Sequence, residues 1–164
     1  MALIIEDGTI VANANTYLTE AEANTILENF GYVLTPATAE ADLRTAAQYL
    51  ESFRNNYQGS KVSSTQSLQW PRTDVYIDCF AFASDEIPEE LKFAQALAAY
   101  ETAQGETLQV NSNGQTITQK TIVGAVSVSY ADNGQDSAQK TFNQIDSYLE
   151  SLFANNGMVK VFRV

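Results

Sequence analysis

The chain has 164 residues, 45% of them hydrophobic, which predicts one folded domain with a sizeable core rather than a disordered polymer. Nine Lys+Arg against 20 Asp+Glu give a net charge of −11, spread evenly as −6 over residues 1–82 and −5 over residues 83–164. A surface this acidic repels phosphate, the lack of histidine removes the commonest general base and metal ligand, and a single cysteine permits neither an internal disulfide nor a thiolate metal cluster.

Met1–Ile5 is too short for a signal-peptide core, lacks a basic flank and runs into Glu6-Asp7, so no secretory leader is expected. The first helix starts at Thr19-Glu20-Ala21-Glu22, a capping box, and carries the stripe Ala23, Ile26, Leu27 and Phe30 up to a stop at Gly31. A second helix is expected to begin near Thr35-Pro36 and to bury Leu43, Ala46, Ala47, Leu50 and Phe53. Residues 55–85 hold a Ser/Thr cluster, then Trp70-Pro71-Arg72 and the aromatic run Tyr76–Phe82; a loop so long and so aromatic should be packed. Pro88 opens a third helix, with Glu89 and Glu90 at its positive end, the core face Leu91, Ala94, Leu97 and Ala98, and Gly105 beyond it. Residues 107–131 read as β, with a turn at Asn113-Gly114 and a strand alternating through Ile122, Val126, Val128 and Tyr130. The fourth helix is expected from near Asp136, with Gln139 in its first turn, burying Phe142, Ile145, Leu149 and Leu152 and stopping at Gly157. No apolar stretch approaches the ~20 residues of a membrane span, so no membrane partner is expected. The sum is a mainly α fold: a small bundle of about four helices in one domain, residues 1–157, with a β excursion at about 107–131 and an extended C-terminal arm, 158–164.

Chemistry-bearing patterns are sparse. The glycines form no phosphate-cradling loop. Asp85, Glu86, Glu89 and Glu90 cluster where a helix dipole attracts carboxylates, and capping explains them better than catalysis. Asp74 and Asp78, four apart, lack the alternating ligands and central glycine of a calcium loop. Arg54, Lys61 and Arg72 flank Tyr57 and Trp70 in a weak version of the cation-and-aromatic composition of single-strand binders; the plainer reading makes Trp70 a core anchor and Arg72 its ion-paired or carbonyl-bonded neighbour. Cys79, beside Phe80 and Phe82, is expected as a buried small hydrophobe. No catalytic residue, cofactor or metal is expected. The tail is different: Val159, Val161 and Phe162 alternate with Lys160 and Arg163 beyond the last helix, where a free strand invites pairing with another chain.

Four segments resemble tailed-phage head–tail connector (head-to-tail adaptor) proteins. They are the opening Met1–Thr9 with Ala14-Asn15-Thr16-Tyr17-Leu18, the signature Gln66-Ser67-Leu68-Gln69-Trp70-Pro71-Arg72, Asp85-Glu86-Ile87-Pro88 opening a helix, and the glycine-centred stretch Lys120–Tyr130. Order and spacing agree over roughly residues 1–153; Thr16 stands where serine is expected, and residues 105–119 and the tail from Met158 match poorly. Members of that family often carry the label of DnaT-like single-stranded DNA-binding proteins, after a primosomal protein, a label that the sign of the charge opposes. The resemblance implies a helical adaptor without catalytic function, assembled as a dodecameric ring that follows the portal's symmetry beneath it in the virion neck. Its implied partners are the portal, tail or neck proteins and neighbouring copies, with genomic double-stranded DNA passing through the channel unheld. Residues Val159, Lys160, Val161, Phe162 and Arg163 are the expected contacts to portal or neighbour, and Trp70, Pro71 and Arg72 the structural motif.

Overall fold

Helix α1, Glu20–Glu28, begins where its sequence can satisfy its own first amides. The Thr19 hydroxyl accepts from the Glu22 amide at 3.2 Å, and the Glu22 carboxylate accepts from the Thr19 amide at 2.8 Å. The chain leaves the helix through Gly31 at φ +75°, a left-handed conformation that costs glycine little. Described in the computed structural model are residues 2–109, 119–122, 126–129 and 142–154.

Helix α2 spans Ala39–Ser52 and starts later than Thr35-Pro36 suggested. Residues 36–38 form a turn instead, in which the amides of Thr38 and Ala39 both bond the Thr35 carbonyl. Its buried face holds Leu43, Ala46, Ala47 and Leu50 as patterned, widened by Ala39, Asp42 and Tyr49. Helix α3, Glu89–Ala103, carries Glu89 and Glu90 in its first turn and packs against α1, α2 and the last helix. That central position buries Ala94 to Ala99 without interruption, and the alanines let neighbouring helices approach closely. Helix α4, Asn143–Glu150, buries Ile145 and Leu149, while Phe142 and Leu152 are buried just outside its ends. It stops well before Gly157: Ser151 and Leu152 turn, and Phe153 bridges antiparallel to Tyr57. Pairing with residue 57 wins over helix continuation because the amides of Gln58 and Ala154 close bonds to Leu152 and Asn56 at 3.0 and 2.7 Å.

Three short antiparallel pairs complete the described residues. Strand β1, Ser60–Lys61, pairs with β2, Arg72–Thr73, and β3, Tyr76–Ile77, with β4, Phe80–Ala81. The chain divides into two compact units, residues 1–108 with 142–164 and residues 109–141. In the second unit β5, Gln119–Ile122, pairs with β6, Val126–Ser129, in the register Gln119↔Ser129 to Ile122↔Val126. The stretch expected as one strand past Lys120 is therefore two strands paired antiparallel. The expected Asn113-Gly114 turn, Asp136, Gln139, Gly157 and the whole arm 158–164 lie outside the described residues.

Cys79 corrects its expectation. Asp78 and Cys79 are the two loop residues between β3 and β4, with φ of +51° and +70°, the signs of a type I′ turn. A two-residue turn tip has no room to bury its side chains, so the thiol is exposed and Phe80 beside it is 77% exposed.

Candidate functional site

The Gln66–Arg72 signature is held from both sides by polar side chains. Gln66 is buried and donates to the carbonyls of Leu68 and Pro71 at 2.9 and 3.0 Å while accepting the Ser63 amide, which shapes the approach to the Trp70–Pro71 peptide, a cis bond. Trp70 is fully buried, its ring edge-on to Tyr57 at 5.8 Å and to Phe82 at 6.4 Å. Arg72 is 6% exposed and aims its fork at carbonyls: Nε to Gln58 at 2.6 Å, Nη2 to Gly59 at 2.8 Å and Nη1 to Gln69 at 3.4 Å. Its Cζ lies 5.9 Å from the centre of the Tyr57 ring. Burial pulls the guanidinium below its usual value, but the carbonyl dipoles and the ring face give a charge so placed the partners it needs.

Beneath the signature runs a buried polar chain. Glu51 on α2 accepts the Tyr17 hydroxyl at 2.6 Å and the Gln69 amide at 2.9 Å, and the Tyr17 oxygen accepts the Trp70 amide at 3.3 Å. Burial raises the Glu51 carboxyl, opposed by the bonds from Tyr17 and Gln69. Burial, then the Glu51 charge, raises the Tyr17 phenol well above its ordinary value. Further in, Gln95 accepts the Tyr17 amide at 3.0 Å and donates to Thr16 and the Leu43 carbonyl. Glu6, fully buried, accepts the amides of Gly8, Ile10 and Val11 and so closes the N-terminal loop. Each of these carboxylates or amides has an internal structural job.

The structure thus brings Trp70, Pro71 and Arg72 together as a joint of the interior. It does not assemble the other sequence candidates: Asp74 and Asp78 are exposed, and among the described residues no cluster of three or more His, Cys, Asp or Glu has the geometry to hold a metal ion. Lys61 donates to the Gln66 carbonyl at 3.2 Å, whereas Arg54 is exposed. Sequence reasoning missed a groove of about 640 Å³ between the β3–β4 hairpin and the end of α4. Gln58, Tyr76, Asp78, Cys79, Glu150 and Phe153 line it, and Tyr76 is 58% exposed. The signal available was Tyr76-Ile77-Asp78-Cys79-Phe80-Ala81, two strand-forming pairs around a two-residue loop.

A family model described as "Putative DnaT-like ssDNA binding protein" matches residues 1–164, the whole chain. The chain belongs to this family. No curated protein and no solved structure matches it. In this DnaT-like chain the aromatic rings nearest the loop's cations, Tyr57 and Trp70, are 5% and 0% exposed, whereas the exposed rings Tyr76 and Phe80 stand on either side of Asp78.

Proposed function

We propose that this chain is a structural, non-enzymatic virion protein: the head-to-tail adaptor of a tailed phage, forming a dodecameric ring under the portal that extends the DNA channel and joins capsid to tail. The observation that carries the reading is the burial of the Gln66–Arg72 signature, on which the resemblance to head–tail connectors rests. Gln66, Gln69, Trp70, Pro71 and Arg72 are all buried and bond or pack within their own chain, as a scaffold requires. The net charge of −11 supports passage of DNA without retention. Its partners on this reading are the portal, tail or neck proteins and further copies of itself; it works in the virion neck and reaches it from the host cytoplasm. Among the described residues no helix is long and apolar enough to cross a membrane.

The family description favours a second reading, single-stranded DNA binding. That activity needs exposed rings beside exposed cations, and among the described residues the exposed rings Tyr76 and Phe80 stand beside Asp74 and Asp78. Two measurements separate the readings. Incubation with portal-bearing capsids should incorporate the protein, and deletion of residues 158–164 should leave it folded but impair docking; normal docking of the truncated protein removes the arm from the reading. Titration with a thymidine oligonucleotide at low salt should show no saturable binding; affinity that falls steeply with added salt would establish the alternative.

A further inference from the structure

The groove beside α4 has a definite chemistry. One wall is aromatic, Tyr76 and Phe153, and its rim carries two exposed carboxylates, Asp78 and Glu150. Ala154, the last described residue before the C-terminal segment, lines the same groove. The segment that follows carries the complementary set, with Val159, Val161 and Phe162 apolar and Lys160 and Arg163 cationic. The geometry points to this groove as the seat for residues 158–164 of a second copy of the chain, Phe162 against Tyr76 and Phe153, and Lys160 and Arg163 against Asp78 and Glu150.

A second copy fits better than the same chain. A return of the chain's own segment along Leu152–Ala154 would need free backbone partners there. The backbone groups that would hold such a return are already bonded: the Leu152 carbonyl to the Gln58 amide, the Ala154 amide to the Asn56 carbonyl, and the Phe153 amide to the Glu150 carbonyl. The β3 edge is closed as well, because the Gln58 side chain bonds both the amide and the carbonyl of Tyr76. The groove therefore recognises side chains rather than adding a strand. An arm of one copy in the groove of the next is a heterologous contact, the kind that closes into rings. This deepens the proposed function, resting on residues 158–164 being an arm and not on attachment to a portal.

Cys79, the chain's one cysteine, lines the groove and supplies the test. Val164→Cys puts a thiol two residues past Phe162 and leaves the proposed anchor intact. Mild oxidation of the full chain across a concentration series should link that thiol to Cys79 of another molecule, giving a ladder on a non-reducing gel and the intermolecular peptide by mass spectrometry. Phe162→Ala in the same background should weaken association about tenfold or more, the loss expected when a phenylalanine leaves an apolar seat. Asp78→Lys with Glu150→Lys should lower the yield several-fold, and Lys160→Glu with Arg163→Glu on the donor copy should restore it. A linked peptide confined to single molecules overturns the proposal in favour of a self-docked arm. Linking to Cys79 no greater than from a control thiol at exposed Thr45→Cys overturns docking altogether. Specific linking in a protein that never joins portal-bearing capsids leaves the groove standing and removes the adaptor reading alone.

Discussion

Truncating Trp70 to alanine tests whether the signature is a structural joint. The side chain is fully buried, and a tryptophan hides roughly 150–250 Å². At about 25 cal/mol per Å² that area is worth about 4–6 kcal/mol, an upper bound because unfolded chains already hide part of it. Two edge-on ring contacts, to Tyr57 and Phe82, are lost with it, each worth about 0.5–1.5 kcal/mol beyond area. No hydrogen bond is lost, since Nε1 has no partner among the described residues. The expected cost of Trp70→Ala is therefore about 3–5 kcal/mol, the range for removing a large buried aromatic. Trp70→Phe, which keeps a ring and removes an unpaired buried N–H, should cost clearly less. Trp70 is the chain's one tryptophan, so wild-type urea unfolding can be followed by its fluorescence and both variants by far-ultraviolet circular dichroism. A loss below about 1 kcal/mol for the alanine variant, with an unchanged denaturant slope, would refute the joint and return Trp70 to the list of surface candidates.

Gly59→Ala should lower the melting temperature markedly, because its Cβ would stand 1.9 Å from the Thr73 carbonyl oxygen at φ +63°, whereas Gly31→Ala, at φ +75° with nothing within 4 Å, should cost only about 1–2 kcal/mol. Arg72→Lys keeps the charge but loses the fork that spans Gln58, Gly59 and Gln69; thermal unfolding should show a loss of about 2–3 kcal/mol, and a neutral result would mean that the fork is dispensable. Glu51 has its carboxyl raised by burial, so its protonated form is favoured in the fold: its contribution is fully present below the unfolded value near 4.5 and is lost as pH rises through the raised one. Glu51→Gln should remove that loss, so urea midpoints from pH 4.5 to neutrality should fall less steeply in the variant than in the wild type. Glu22, lowered by its bonds to Thr19, has the opposite sign: its support is present above 4.5 and disappears as pH falls through the lowered value, so Glu22→Gln should flatten the acid limb.

What the sequence made legible is what depends on neighbours a few residues away. The capping box at Thr19 and Glu22, the acidic first turn of α3 and the apolar stripe of α2 are all decided within one or two turns of chain. Cys79 failed because its neighbours Phe80 and Phe82 suggested an apolar site, while its exposure follows from φ > 0 at two adjacent turn residues. The end of α4 failed for a long-range reason, pairing of residues 152–154 with 56–58, a stretch nearly a hundred residues earlier. Gln95 was invisible for the same cause: it lies between core positions of α3 and its partners are 52, 78 and 79 residues away. The groove was illegible because its two walls, residues 58–79 and 150–154, are far apart in sequence.

Gln58 explains how an interior joint and a surface groove can belong to one device. Its backbone carbonyl accepts the Arg72 guanidinium at 2.6 Å, and its backbone amide bonds Leu152 at the end of α4. Its side-chain amide bonds the Tyr76 carbonyl at 3.1 Å and the Ser151 carbonyl at 2.8 Å, so one residue ties the signature, the β3–β4 hairpin and α4 together. Arg72 in turn shares Gln69 with Glu51, which also accepts the Tyr17 hydroxyl and so carries the connection into the helical core. A surface built this way holds its shape before anything binds, and a preformed seat loses less freedom when an arm enters it. On the proposed reading, that is how a buried Trp-Pro-Arg loop would serve assembly: its chemistry is directed inward, and the groove beside it faces outward.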